Sequence, residues 1–116
     1  MSNFLGIPIP APLKPQSRIY DLKERLDWGE PALTIIDVRN RDVFNVGHIR
    51  GAISFPLSQL AEEALMSLEL VRDIYVYGSS DQETAAAATA LKEAGYQNVA
   101  ELLGGVEAWK AAGFPI

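Results

Sequence analysis

Tyr77-Gly78-Ser79-Ser80-Asp81-Gln82-Glu83-Thr84 is the stretch of this chain best placed to do chemistry. It follows a short apolar run and leads into a helical one. A strand–loop–helix junction of that kind often holds a nucleophile, because backbone N–H groups and a helix N-terminus converge there. The nucleophile itself is missing. None of the 116 residues is a cysteine, which removes thiolate attack, thiolate metal sites and disulfides together. Gly78 stands at the strand end, and Ser79 and Ser80 offer only hydroxyls. Either serine would need a base, and His48 is the single histidine available. Neither serine lies in a G-x-S-x-G elbow, so serine hydrolysis has little support.

Ser80-Asp81-Gln82-Glu83 instead fits a capping box. Ser80 is predicted to accept the N–H of Glu83, with the Glu83 carboxylate returning to the N–H of Ser80. Asp81 adds a second negative charge to the first turn, where the helix dipole favours it. The positive end that would hold an anion is then complemented by the protein itself. Two further readings stay open: a recognition loop for a neutral or cationic ligand, and a residual anion site using Arg39 or Arg41.

Asp37 closes an apolar run and is expected to accept backbone N–H bonds or pair with an arginine. Together with Arg39, Arg41 and Tyr77 it makes a candidate pocket. His48, between Gly47 and Ile49, has no cysteine, histidine or carboxylate at ligand spacing, so it reads as a loop-fixing side chain. No metal or cofactor is expected. Gly104-Gly105 lacks the lysine of a phosphate loop and reads as a backbone turn.

These residues need a scaffold to position them. Leu33-Thr34-Ile35-Ile36-Asp37-Val38 is short, apolar and β-branched, the mark of a strand buried on both faces. Further strands are predicted at 52–55, 74–77 and 99–103. Helices are predicted from Ser17 as N-cap to Trp28-Gly29, around 42–46, at 58–70, 83–94 and 106–112. A turn falls at Glu30-Pro31. Strands alternating with helices imply a mainly parallel sheet covered on both sides. Ahead of them, Pro8, Pro10, Pro12 and Pro15 make residues 1–16 an extended Pro-rich arm. Its Phe4, Leu5, Ile7 and Ile9 favour docking on an apolar surface.

The net charge of −5 comes from fifteen acidic and ten singly scattered basic residues. Nucleic acid and anionic membrane are poor partners for such a chain, since both need a concentrated positive patch. No apolar stretch reaches the ~20 residues of a membrane span, and the opening residues do not resemble a signal peptide. A cytoplasmic protein is expected.

Three stretches, in this order and spacing, resemble the rhodanese-like family: Ile36-Asp37-Val38-Arg39; Gly47-His48-Ile49-Arg50-Gly51-Ala52-Ile53-Ser54-Phe55-Pro56; and Leu103-Gly104-Gly105-Val106-Glu107-Ala108-Trp109-Lys110 with Gly113-Phe114-Pro115. The resemblance covers residues 17–116 as one domain. It implies an α/β fold with a mainly parallel sheet of four or five strands, helices on both faces, and the 78–84 loop at the carboxyl end of the strand at 74–77. The family begins with a short edge strand, for which the prolines leave little room.

The resemblance also implies sulfur transfer through a cysteine in this loop, commonly helped by arginine. Here Gly78 takes the cysteine's place, and residues 78–84 contain neither. The expectation is a catalytically inactive sulfurtransferase homologue acting as a binding or regulatory module for a protein partner. One alternative is a non-thiol enzyme or anion-binding protein using the 78–84 loop with Arg39 or Arg41. Another is a structural subunit whose N-terminal arm docks on a second copy or a partner chain.

Overall fold

The computed structural model describes residues 13–29 and 32–116, together with the backbone of two short strands, Asn3–Phe4 (β1) and Ile7–Pro8 (β2), which pair antiparallel. The expected docking of the arm's apolar side chains and the turn at Glu30-Pro31 fall outside the described residues.

The main sheet has five strands: Gln16–Ser17 (β3), Leu33–Asp37 (β4), Ile53–Ser54 (β5), Asp73–Tyr77 (β6) and Asn98–Leu102 (β7). Their order is β3-β7-β6-β4-β5, and every pair is parallel. Helices Ile19–Asp27 (α1), Arg41–Val46 (α2), Leu60–Ser67 (α3), Asp81–Glu93 (α4) and Gly105–Ala111 (α5) lie between and after the strands.

Successive strand residues point to opposite faces, and here both faces are covered. Ile35, Tyr75 and Tyr77 pack with Leu22 of α1 and Val106 and Trp109 of α5. Ile36, Ile74 and Val76 pack with Leu60 and Ala64 of α3 and with Ala87, Ala88 and Leu91 of α4. That is why β4 and β6 are apolar at consecutive positions. Each large side chain buried this way contributes roughly 1.5–3 kcal/mol. The two central strands thus hold the 78–84 loop on a rigid base.

The start of the domain differs from expectation. Ser17 does not cap α1; it is buried in β3, and its hydroxyl donates to the Lys14 C=O (2.9 Å). Arg18 is the N-cap residue instead, its backbone N–H donating to the Asp21 carboxylate (2.8 Å). An edge strand does form directly after the prolines. The C=O groups of Pro15 and Ser17 accept the N–H groups of Glu101 (2.8 Å) and Leu103 (3.0 Å). Proline lacks only a donor, and at this edge Pro15 is asked only to accept.

The helix expected at 58–70 is also divided. A 3-10 turn at Leu57–Gln59 precedes α3, which ends at Ser67. Leu68 turns extended there, and its C=O accepts a bond from the Tyr96 hydroxyl (2.8 Å), a tertiary contact that overrides the local pattern. Among the described residues no helix is long and apolar enough to cross a membrane.

Candidate functional site

The loop at the carboxyl end of β6 is held by its own side chains. Gly78 N–H donates to the Thr84 hydroxyl (2.8 Å), which in turn donates to the Ser80 C=O (3.0 Å). Ser79 N–H donates to Glu83 Oε1 (2.8 Å), and Glu83 N–H donates to Ser80 Oγ (3.1 Å). Ser80 is therefore the N-cap, as the sequence predicts. The returning carboxylate, however, takes the N–H of Ser79 in place of that of Ser80.

The cause is the missing side chain at 78. A Cβ placed on Gly78 would sit 2.5 Å from Glu83 Oε1, 2.8 Å from its Cγ and 3.0 Å from its Cβ. The Glu83 side chain fills the room that a larger residue at 78 would claim, and from there it reaches one residue further back. Asp81 stands in the first turn of α4, as expected, and its Oδ1 also accepts the N–H of Gly104 (2.9 Å). That bond ties the loop to the turn before α5. Gly105, the first residue of α5, has φ 51°, and a Cβ there would lie 3.3 Å from the Gly78 C=O. The backbone-turn role expected of Gly104-Gly105 is the one found, and it needs glycine. Gln82 is exposed.

Removing the cap hydroxyl tests this geometry. Ser80→Ala should lower stability by roughly 0.5–2 kcal/mol, read from chemical denaturation. An unchanged midpoint would mean that the Ser80 bond contributes nothing net.

Three of the four candidate pocket residues do meet, but they close on one another. Asp37 is fully buried. Its Oδ1 accepts the Arg39 backbone N–H (2.9 Å) and Nε (3.0 Å), and its Oδ2 accepts Arg39 Nη2 (2.6 Å) and the Tyr77 hydroxyl (2.7 Å). Arg39 Nη2 also donates to the Gly47 C=O (2.7 Å), and the Tyr77 hydroxyl accepts the N–H of Ile49 (3.1 Å). One buried cluster therefore joins β4, β6 and the loop at 47–49. The hydrogen bonds it donates to Asp37 hold the Arg39 guanidinium even more firmly charged than usual. Arg41 stands apart on the surface, donating to the Ser54 C=O (3.3 Å) and lying 3.9 Å from Glu63. His48 fixes its own loop: Nδ1 is 2.9 Å from the Phe44 C=O, and the two rings stack at 3.7 Å.

Burial also pushes the hydroxyls of Tyr75, Tyr77 and Tyr96 above their ordinary value of 10.0. A raised acid of this kind gives stability that is complete below the unfolded value and lost as pH rises past it. Denaturation midpoints should therefore fall between about pH 8 and about pH 11. Tyr77→Phe, less stable at the lower pH, should show a shallower decline; an equal slope would show that Tyr77 does not carry the effect.

The Asp81–Gly104 bridge, the Thr84–Gly78 bond and the Tyr77–Asp37 bond are contacts that sequence reasoning misses. A groove of about 540 Å³ borders Gly104, lined also by Arg18, Ile19, Tyr20 and Ala108, and no residue of the 78–84 loop opens onto it.

A family model described as "Rhodanese-like domain" matches residues 19–112. Among solved structures, the chain is similar to the rhodanese-like domain of the Alr3790 protein from Anabaena sp. The solution structure of that domain is 52% identical and covers 89% of this chain and 78% of that one, with a TM-score of 0.85. A crystal structure of the same protein is also 52% identical, covering 85% of this chain and 88% of that one at a TM-score of 0.84. Among curated proteins, the chain is 35% identical over 98 residues to an HTH-type transcriptional regulator of Mycobacterium tuberculosis, covering 83% of this chain and 42% of that protein. It is 34% identical over 90 residues to a probable adenylyltransferase/sulfurtransferase of the same species, covering 77% of this chain and 23% of that protein. It thus spans less than half the length of either curated relative.

Proposed function

The chain belongs to the rhodanese-like domain family, and from that premise we propose that it is a binding module whose sulfur-transfer loop has been closed by its own side chains. A persulfide needs a thiolate, and Gly78 has no side chain to supply one. The observation that carries the reading is the Glu83 carboxylate, which occupies the space beside Gly78 and takes the N–H of Ser79. An anionic substrate would meet like charge there and find that donor already used. Asp81 and Thr84 engage two further N–H groups, those of Gly104 and Gly78.

The arginines point the same way. Arg39 is spent on Asp37 and Gly47, and Arg41 lies outside the cluster, so neither is placed to hold a substrate anion at residues 78–84. The named relatives are a transcriptional regulator and a probable sulfurtransferase. For a chain without cysteine, the regulatory use is the one its chemistry supports. The partner on this reading is a protein.

The purified protein should show no thiosulfate:cyanide sulfur transfer above the solvent rate. Turnover that survives repeated purification and follows the protein through a sizing column would overturn the proposal.

A further inference from the structure

Apart from β1 and β2, the described chain begins at Leu13, and its first residues already lie against α1 and the main core. The chain bends at Pro15. Ahead of the bend, Lys14 Nζ sits 3.3 Å from the carboxylate of Asp21 in the first turn of α1. Leu13 is half-buried against the cluster that contains Ile19, Val106 and Trp109, and Ala108 and Ala112 pack against the same cluster. Ile19, Ala108 and Ala112 are also walls of the groove of about 540 Å³ between the start of α1 and α5. Tyr20 adds an aromatic wall that is 55% exposed, with the Arg18 guanidinium 5.6 Å over its ring. Arg18 is the one charged residue among the described walls.

The sequence directly ahead of Leu13 is Pro8-Ile9-Pro10-Ala11-Pro12, and residues 1–12 carry no charged side chain. Prolines at alternate positions fix φ and hold the residues between them extended. A segment of that kind has little conformational freedom left to lose, which is why proline-rich segments dock in aromatic-lined grooves. Its prolines offer carbonyls without N–H groups, and the Arg18 guanidinium and the Tyr20 hydroxyl are donors on the groove wall. Four residues in polyproline conformation span about 12 Å, enough to cross a groove of this size. The hairpin of β1 and β2, with two residues in each strand, is too small to be stable by itself, so the arm as a whole gains from a surface.

We propose that residues 9–12 of the chain's own arm lie in this groove as a proline-rich strap across α1 and α5. Direct attachment at Leu13 presents the strap at an effective concentration on the order of mM, ahead of a second copy or a partner's segment. A partner that uses this face must displace the strap first. The inference goes beyond the closed sulfur-transfer loop and does not depend on it. No residue of the 78–84 loop lines the groove, and sulfur-transfer turnover by the protein would leave the strap standing.

The test is nuclear magnetic resonance on the isotope-labelled full chain. Nuclear Overhauser contacts should join protons of Ile9, Pro10 and Pro12 to the Tyr20 ring and to the Ala108 and Ala112 methyl groups. A mixture of labelled and unlabelled chains, filtered for contacts between different molecules, should show none of them. Ile9→Asp, which removes no contact among the described residues, should abolish these contacts and shift the amide signals of Ile19, Tyr20 and Ala112. Ala111→Glu, on the exposed wall of α5, should release the strap from the groove side. Absence of the contacts in the unaltered chain, contacts with another face, or contacts that survive both substitutions would overturn the proposal. Contacts in the filtered mixture would give the groove to a second copy and overturn it equally. So would a groove without its own arm that takes up an added polyproline peptide.

Discussion

Asp37→Ala should destabilise the domain by about 3–5 kcal/mol, because it strands the Arg39 guanidinium in the interior without its counter-charge. Arg39 is only 7% exposed, and five hydrogen bonds from it and Tyr77 end on the two oxygens of Asp37. For a domain of this size the loss is a large share of the whole, since folded domains hold only about 5–15 kcal/mol. Urea denaturation would measure it. Asp37→Asn keeps an acceptor for Arg39 and should cost less. The more telling variant replaces the set: Asp37→Leu with Arg39→Met and Tyr77→Phe removes both charges and the hydroxyl together. It should recover part of the stability lost in Asp37→Ala, because an apolar replacement of a buried ion pair is often neutral. The recovery stays partial, since Gly47 C=O and Ile49 N–H lose their partners. If Asp37→Ala costs under about 1 kcal/mol, the value of an exposed pair, the cluster is not what joins β4, β6 and the 47–49 loop.

The second large effect concerns the thiol that the loop lacks. Gly78→Cys should yield a sluggish cysteine. Its Cβ would lie within 2.5–3.0 Å of Glu83, so Glu83 must swing aside and release Ser79. A carboxylate that stays nearby disfavours the thiolate by like charge. Gly78→Cys combined with Glu83→Ala removes the carboxylate and the two tightest contacts, leaving the 3.0 Å approach of the Cβ at 83, and frees the Ser79 N–H to face the sulfur. The double variant should react with a disulfide reagent at neutral pH about ten-fold faster than the single one, the effect of roughly one pKa unit. Persulfide formation from thiosulfate, followed by mass spectrometry, should appear in the double variant first. Equal rates in the two would show that Glu83 does not obstruct the site.

The parts of this fold written in local patterns are legible in the sequence. β4 and β6 announce themselves through consecutive apolar, β-branched residues, and the Ser80 cap through its spacing from Glu83. The pairing of Asp37 with an arginine follows from the cost of burying a lone carboxylate. What stays hidden depends on chain folding over long separations. Nothing at Asp81 indicates an acceptor for Gly104, 23 residues away, and nothing at Tyr77 indicates Asp37, 40 residues away. The capping-box pattern places the Glu83 carboxylate one residue off, because the pattern carries no information about the empty space at Gly78. The edge strand is missed for a similar reason. Proline is read there as a breaker, although Pro15 only has to offer a carbonyl.

The contact between Glu83 and Gly78 also makes the loop an evolutionary ratchet. From this sequence, a change to a sulfur-transfer loop has no easy first step. A cysteine arriving alone at position 78 meets an occupied site, and its thiol has nothing to do until Glu83 moves. A change at position 83 alone discards the bond to Ser79 with no reactive group to benefit. Each substitution is a loss unless the other is already present, so selection acting on single changes keeps the pair as it stands. Relatives of this chain are therefore expected to carry the glycine of position 78 and the glutamate of position 83 together, or neither.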